Sequence, residues 1–417
     1  MPRLKSTLLR AGIYFRSFYR WLLVAALTGM VCGFVGSAFN LTVSWATGYR
    51  ETHPWLIWLL PVGGLAIVAL YRLTGTEGEG TNQIIDSIHF GDKVPAMLVP
   101  VIFIATAITH FVGGSAGREG AALQIGGGIG CRIGRLLRLD DKDMRLVTLC
   151  GMSAVFSALF GTPLTATVFA LEVISVGILY YSGFVPCIVA SLVAYGISRL
   201  LGIEPTHFTV ALEALEPLML LKVCVLAVAC ALVSIMFCVV MHGTEQLAAQ
   251  KIKNPYLRVL AGSAMLIALW QLLDTDIYNG IGTDVIAYAL SGGEIPQAAF
   301  LWKIAFTAIT IGFGFKGGEI VPTFFIGAAL GCVLGPALGM PASFAAAIGL
   351  AAMFCGAVNC PIASIILSVE LFGSGELIYF ALACGISYML SGYFGLYSSQ
   401  KIMYSKTRAE FINRYAK

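Results

Sequence analysis

Apolar runs long enough to cross a bilayer recur from one end of this chain to the other. Hydrophobic residues make up 58% of its 417 residues and charged residues only 12%, roughly half the charged fraction of an ordinary soluble domain. A helix needs about 20 apolar residues to span a hydrocarbon core of about 30 Å. The pattern therefore predicts an all-α, polytopic membrane protein. The short alternating segments that are typical of membrane β-strands are absent from the sequence.

Basic residues cluster at the two ends of the chain and predict its orientation. The first twenty residues contain five cations and no acidic residue, and the last seventeen contain five cations and one acidic residue. By the positive-inside rule, both termini are predicted to be cytoplasmic. The apolar run after Arg20 is too long for a cleavable signal peptide. These flanks account for the net charge of +4, which gives no support for binding nucleic acid.

Two glycine-bounded breaks place ionisable residues inside otherwise apolar sequence. The first reads Gly113-Gly-Ser-Ala-Gly-Arg-Glu-Gly120 and the second reads Lys316-Gly-Gly-Glu-Ile-Val-Pro322. A helix that starts after such a break directs unpaired N–H groups and its positive dipole end forward. Ionisable residues at membrane depth are costly and usually mark an ion path. We therefore predict an anion site beside Glu119, with an inward-facing Glu319 at the second break.

Each break also has a purely structural interpretation. Glu119 could pair with Arg118 or cap the start of its own helix, and Lys316 could form a solvated pair with Glu319 in a turn. In the functional interpretation, a carboxylate at a helix start competes with a transported anion for the same N–H groups. Protonation would remove its charge and release the site, which would link anion movement to proton movement.

The two halves of the chain resemble each other, which indicates an internal duplication. Thr106-Ala-Ile-Thr109 recurs 201 positions later, Glu119 is matched by Glu319 200 positions later, and the series Gly151–Glu172 recurs 198 positions later. In transporters, such repeats place the substrate site near the membrane midplane, between broken helices.

The repeats define the expected domain organisation. We predict a single transmembrane domain over residues 1–417, with repeat one at about 20–203 and repeat two at about 218–400. Several apolar segments of the second half are too short to cross a bilayer as helices. They predict broken or re-entrant helices, which are tolerated only where protein or a cavity covers them.

Other residues extend the candidate site or are excluded from it. The segment 78–83 is polar and glycine-rich, so it could line the anion path or form an ordinary loop. Tyr397 alone would look like a residue of the membrane interface. Lys222, Lys303 and Glu376 are predicted to be helix-end charges that snorkel to the interface.

No motif indicates an enzyme, a cofactor or a metal. There is no phosphate-binding glycine motif, no His/Cys/Asp cluster and no nucleophile–base pair. The eleven cysteines lie singly, without CxxC spacing, and predict structural thiols.

Three features together resemble the CLC superfamily of anion channels and proton-coupled antiporters, over nearly the whole chain. They are Gly117-Arg-Glu-Gly120, Gly317-Gly-Glu-Ile-Val-Pro322 and Tyr397. The resemblance implies a homodimer, each subunit with its own pore and two inverted repeats of broken, re-entrant helices that meet at a midplane anion site. It implies that Glu119 is the gating glutamate and that the Tyr397 hydroxyl reaches the central anion.

Departures from the common motifs of that superfamily bear on selectivity. Where the family has GSGIP, this chain reads Gly78-Glu-Gly-Thr-Asn82, without the anion-coordinating serine. Where chloride/proton antiporters have a second glutamate as inner proton acceptor, this chain has Val173. The second break carries Glu319 where chloride-transporting members have an apolar residue. The predicted anion-binding residues are Gly117, Arg118, Gly120, Ile320, Val321, Tyr397, Glu79, Thr81 and Asn82.

These departures resemble the fluoride/proton antiporters of bacteria. That resemblance implies a homodimeric exporter of the bacterial inner membrane, in which Glu119 and Glu319 carry protons. Fluoride is small and strongly hydrated, so dense donors are needed to strip its water. A chloride/proton antiporter with a divergent filter and a passive anion channel remain open alternatives. The expected partners are fluoride or chloride, protons and bilayer lipids, and no cytoplasmic regulatory domain is expected after Tyr397.

Overall fold

The computed structural model describes the backbone of residues 2–211 and 213–417 and confirms an all-α membrane architecture. Seven described helical segments are long and apolar enough to cross a bilayer. The helices are α1 (Pro2–Thr52), α2 (Leu60–Thr74), α3 (Thr81–Phe90), α4 (Leu98–Phe111), α5 (Glu119–Leu136), α6 (Asp141–Phe160), α7 (Pro163–Glu172), α8 (Phe184–Leu200), α9 (Pro217–Lys251), α10 (Pro255–Leu273), α11 (Thr283–Leu290), α12 (Ala299–Gly312), α13 (Ile320–Ala337), α14 (Ala342–Val358), α15 (Pro361–Phe372) and α16 (Leu377–Leu390).

Two short 3-10 helices (Pro54–Leu59 and Tyr181–Gly183) and three short strands complete the described elements. The strands are β1 (Ser175–Val176), β2 (Lys401–Tyr404) and β3 (Phe411–Tyr415), in the order β1-β2-β3. Strand β2 pairs in parallel with β1 and antiparallel with β3. The sheet therefore ties the C-terminal hairpin to the segment that follows α7.

The start of α1 and the C-terminal hairpin lie on one side of the helical bundle, which we call the terminal side. Arg20 in α1 pairs with Asp143 at the start of α6 at 2.6 Å. The Thr206 N–H donates to the Phe160 carbonyl at 2.9 Å, so the segment before α9 lies at the opposite end of α6. Tyr379 at the start of α16 donates to a carbonyl of that same segment. Helix α16 therefore runs back towards the terminal side, where the chain ends.

Small residues bring equivalent helix pairs of the two repeats into close contact. A Cβ atom on Gly126 of α5 would overlap the Gly151 carbonyl of α6, and one on Gly327 of α13 would overlap the Gly349 carbonyl of α14. Lipid is as apolar as these helices, so their association depends on close packing. The same crossing recurs in both halves, as the internal duplication predicts.

The helices α7 and α15 cap each other. Glu172, the last residue of α7, accepts hydrogen bonds from two N–H groups at the start of α15, at 3.2 and 2.8 Å. Glu370, near the end of α15, accepts from two N–H groups at the start of α7, at 3.0 and 2.8 Å. Each carboxylate thus satisfies free donors at the positive end of the facing helix. This reciprocal contact explains why a glutamate recurs at this place in both repeats.

A polar network anchors the segment that carries Tyr397. The Gln400 side-chain amide donates to the carbonyls of Val173 and Val358, at 3.0 and 2.9 Å. Lys406, from the hairpin, donates to the Asn359 side chain at the end of α14. The C-terminal residues therefore hold the Tyr397 segment against the ends of α7 and α14.

The prediction for Lys303 was wrong. Its side chain is fully buried in α12 and does not reach the interface. The ammonium group donates to the carbonyls of Tyr278 and Gly280, at 3.2 and 2.9 Å, and lies 5.1 Å from the centroid of the Phe325 ring. A buried charge needs such partners to offset its lost hydration.

Candidate anion site

The two predicted breaks meet at the centre of the protein. The N–H of Gly117 donates to the carbonyl of Gly318, and the N–H of Gly318 donates to the carbonyl of Gly117, both at 2.6 Å. Helix α5 starts two residues after this bridge and so does α13. The first turns of both helices, with their unpaired N–H groups, therefore converge on one point.

The structure changes the alignment of the two breaks by one residue. Helix α5 begins at Glu119 and α13 begins at Ile320, which sets the offset at 201. Glu319 occupies the N-cap position of α13, which corresponds to Arg118 and not to Glu119. The sequence match of Glu119 with Glu319 was therefore wrong by one position. An offset of 200 matches the charged residues, whereas the helix starts match at an offset of 201.

This one-residue difference directs the two carboxylates into different cavities. Glu119 lines a cavity of about 30 Å³ together with Val321 and Thr283, away from the terminal side. Glu319 lines a cavity of about 170 Å³ together with Tyr397, towards the terminal side. We call these the outer and the inner cavity. The outer one has room for roughly one water and the inner one for several.

Glu119 occupies the donors at the crossing. Its side chain is 1% exposed, and it accepts a hydrogen bond from the Arg118 N–H at 2.9 Å. Val321, in the first turn of α13, lines the same cavity as this carboxylate. The Arg118 guanidinium lies 3.7 Å from Glu119 and is held by Asn40 at 2.6 Å and Ser44 at 3.0 Å. The carboxylate thus takes donors that an anion at this place would need.

The backbone donors predicted from the sequence are not equally free. The Gly117 N–H is bonded to Gly318, so the donor role predicted for Gly117 does not hold in this structure. Gly120 lies in the first turn of α5, where N–H groups have no carbonyl one turn earlier. Ile320 and Val321 hold the same place in α13, and Pro322, which follows, has no N–H to offer.

The inner cavity gathers buried polar atoms without partners. Tyr397 is 2% exposed, and its hydroxyl has no hydrogen-bond partner among the described residues. The same holds for one carboxylate oxygen of Glu319 and for the side-chain oxygen of Gln124. Buried polar groups are normally satisfied by protein, water or a ligand. The cavity therefore presents polar groups for a small hydrated solute.

The segment 78–82 lines the same cavity, and its polar residues differ in role. The Thr81 hydroxyl donates to the Gly120 carbonyl at 3.4 Å and accepts from Gln124 at 3.1 Å, which joins α3 to α5. Asn82 accepts from the Ser399 N–H at 3.1 Å, which positions the Tyr397 segment. Glu79 is half-buried on the cavity wall.

Several residues that line the inner cavity were not predicted from the sequence. Gln124 lies on α5, and His242 and Glu245 lie on α9, far away along the chain. Gln124 lies four residues after the first break, and its polarity in an apolar helix was the signal that could have identified it. No local motif marks the two residues of α9, because the tertiary fold alone brings them to the cavity.

Comparisons with known proteins agree with this geometry. The family model described as "Voltage gated chloride channel" matches residues 63–392. A "Chloride/fluoride channel protein" of Pseudomonas syringae pv. tomato is 37% identical over 398 residues, which cover 93% of this chain and 87% of that protein.

Solved structures show the same fold. A CLC-type fluoride/proton antiporter superposes with a TM-score of 0.89 and 32% identity, over 92% of this chain and 98% of the other. A slow cyanobacterial Cl⁻/H⁺ antiporter superposes with a TM-score of 0.76 and 18% identity, over 89% of this chain and 94% of the other. The chain therefore belongs to the voltage-gated chloride channel (CLC) family of anion transport proteins, and within it resembles the fluoride/proton antiporter branch.

Proposed function

We propose that this protein is a secondary active transporter that exchanges fluoride for protons. The observation that carries the proposal is the pair of carboxylates at one backbone crossing, the buried Glu119 towards the outer cavity and the half-buried Glu319, with one buried oxygen, towards the inner cavity. A path that an anion and a proton both use needs a group that can exclude the anion when charged and admit it when neutral.

Glu119 has the geometry for this exchange. In its charged form, the carboxylate accepts from the Arg118 N–H and lies 3.7 Å from the Arg118 guanidinium, beside Val321 in the first turn of α13. Protonation weakens these charge-assisted hydrogen bonds, and an anion then takes the donors. Glu319, one residue before α13, stands on the inner side of the crossing and provides a second proton-accepting group. Proton transfer across the crossing then needs no acceptor at Val173.

The inner cavity favours a small anion with strong hydrogen bonding. It offers the partnerless Tyr397 hydroxyl and the Thr81 hydroxyl, whose one bond as donor, to the Gly120 carbonyl, is long at 3.4 Å. The absence of the family's coordinating serine argues against an ordinary chloride filter. The similar proteins whose names include fluoride support the same choice.

We propose further that the terminal side is cytoplasmic and that the membrane is a bacterial inner membrane. The excess of basic residues at both ends of the chain supports this orientation, because cytoplasmic segments beside membrane helices are rich in Lys and Arg. We also propose that the two repeats span about residues 20–203 and 218–400 and that the protein forms a homodimer. In a bacterium, the inward proton gradient would then drive fluoride out.

Efflux from liposomes containing the purified protein tests the proposal. Fluoride and chloride efflux are compared while external pH is followed. We expect fluoride efflux with proton uptake and little chloride flux. A proton-coupled chloride flux equal to the fluoride flux would identify a chloride/proton antiporter instead. Anion flux without proton movement would identify a passive channel.

A further inference from the structure

A basic cavity of about 370 Å³ opens on the terminal side, between the end of α2 and the start of α10. Four of its lining residues are cations, and the carboxylate of Glu77 is the one acidic side chain among its lining residues. Glu77 already pairs with Arg72, at 3.1 Å. The other cations are Lys253, Arg258 and Lys316. The cavity therefore has an excess of positive charge that no neighbouring carboxylate of its own wall neutralises.

Three polar groups in this cavity, apart from the paired Arg72, have donors without an acceptor among the described residues. Tyr71 is 4% exposed, and its hydroxyl is buried without a hydrogen-bond partner. The Nε of Arg258 is buried without a partner as well. The Lys316 ammonium lies 4.8 Å from the centroid of the Tyr71 ring, and no described carboxylate approaches it within 4.0 Å. A guanidinium, an ammonium and a hydroxyl thus face one space without an acceptor.

The chemistry of these donors selects the ligand. Planar guanidinium groups bind phosphate through several charge-assisted hydrogen bonds, and lysines add point charge. Basic pockets between helices at the cytoplasmic end of a membrane protein bind the head groups of anionic lipids. Apolar side chains flank the cavity on the same helices: Leu73 is 87% exposed and Leu257 is 58% exposed, as expected for surfaces that face acyl chains. We propose that this cavity binds a phosphate group, carried by an anionic phospholipid or by free phosphate.

Phosphate bound in this cavity would affect anion transport, and Lys316 provides the connection. This residue lines both the basic cavity and the inner cavity, and it stands three residues before Glu319. A phosphate in the basic cavity attracts the ammonium group and lowers the positive potential at the inner cavity. A transported anion would then associate there more slowly. This part rests on the proposed function, whereas binding of phosphate does not.

Binding is measured first, by thermal unfolding of the full-length protein in an uncharged detergent at constant ionic strength. The probes are short-chain phosphatidylglycerol, short-chain phosphatidylcholine and inorganic phosphate. We expect phosphatidylglycerol to raise Tm saturably and phosphatidylcholine not to do so. An equal, saturable rise with inorganic phosphate identifies free phosphate as a sufficient ligand, and a rise confined to phosphatidylglycerol identifies the lipid.

Variants locate the site. Lys253→Gln changes an exposed residue and Arg258→Gln a half-buried one, so the first should fold even where the second does not. We expect Lys253→Gln to weaken the apparent affinity about tenfold, because one charge-assisted contact is lost. The control is Lys251→Gln, an exposed lysine two residues away that does not line the cavity. Equal affinity in Lys253→Gln and the natural chain, or no rise in Tm with either phosphate probe, would overturn the proposal.

The transport consequence is measured in liposomes of neutral lipid with and without phosphatidylglycerol. We expect slower fluoride efflux with phosphatidylglycerol for the natural chain and for Lys251→Gln, and a smaller difference for Lys253→Gln. The same slowing in Lys253→Gln would overturn the link through this cavity. Absence of fluoride flux in every membrane would count against the proposed function and leave the binding result intact.

Discussion

At the residue scale, the crossing of Gly117 and Gly318 leaves no space for a side chain. A Cβ atom on Gly318 would overlap the nitrogen of Gly120 and lie 3.0 Å from the nitrogen of Glu119. The substitution Gly318→Ala would therefore push the two helix starts apart. We expect it to abolish anion flux in liposomes. The control is Gly385→Ala, since that glycine, on α16, has nothing within 4 Å of its Cβ position. Normal flux in Gly318→Ala would show that the crossing tolerates separation.

Each of the two glutamates of the crossing is expected to be necessary for proton coupling. Glu119→Gln keeps the shape of the side chain but cannot take up a proton. We expect this variant to lose proton uptake coupled to a fluoride gradient. Undiminished proton uptake, with fluoride efflux and external pH recorded together, would reject Glu119 as the gate.

Glu319 has a separate prediction, because it faces the inner cavity. We expect Glu319→Gln to lose coupled exchange as well, since its carboxylate is the proposed inner proton acceptor. The matched control is Glu245→Gln, which removes a carboxylate from the wall of the same cavity without changing the crossing. If Glu319→Gln exchanges at the rate of the control, Glu319 has a structural role.

At the element scale, the reciprocal caps of α7 and α15 stabilise the contact between the repeats. Each carboxylate satisfies two N–H groups of the facing helix, and loss of such a cap costs about 1 kcal/mol. We expect Glu172→Gln and Glu370→Gln each to lower Tm. The exposed Glu294→Gln serves as control. A Tm equal to that of the control in both cap variants would mean that these hydrogen bonds contribute no stability.

At the scale of the whole molecule, cysteine labelling tests the orientation. The native cysteines are free and buried, apart from Cys224, which is half-buried, so an impermeant thiol reagent has a low background. Thr407→Cys lies in the C-terminal hairpin on the terminal side, and His207→Cys lies on the opposite side. We expect the reagent to label Thr407→Cys only from the cytoplasm and His207→Cys only from outside. The reverse labelling pattern would show that the terminal side faces the outside of the cell.

The internal repeat allowed much of this architecture to be predicted from the sequence. The matched segments 106–109 and 307–310 occupy equivalent helices, and both breaks meet at the centre. The sequence shows that Glu172 recurs as Glu370, but it predicts no role for either glutamate. Their role is reciprocal capping, and sequence cannot reveal it because each carboxylate acts on N–H groups 190 to 206 residues away along the chain.

The sequence by itself determined the membrane class, the broken helices and the chemical types at the centre, because these follow from local composition and hydropathy. Only the tertiary structure decided the direction of each side chain. One residue along a helix turns a side chain by about 100°, so an alignment error of one position changes which cavity a carboxylate faces. The tertiary structure also brings Gln124, Glu245 and Lys316 together around the inner cavity. Distant helices supply them, and the order of residues along the chain does not specify how those helices pack.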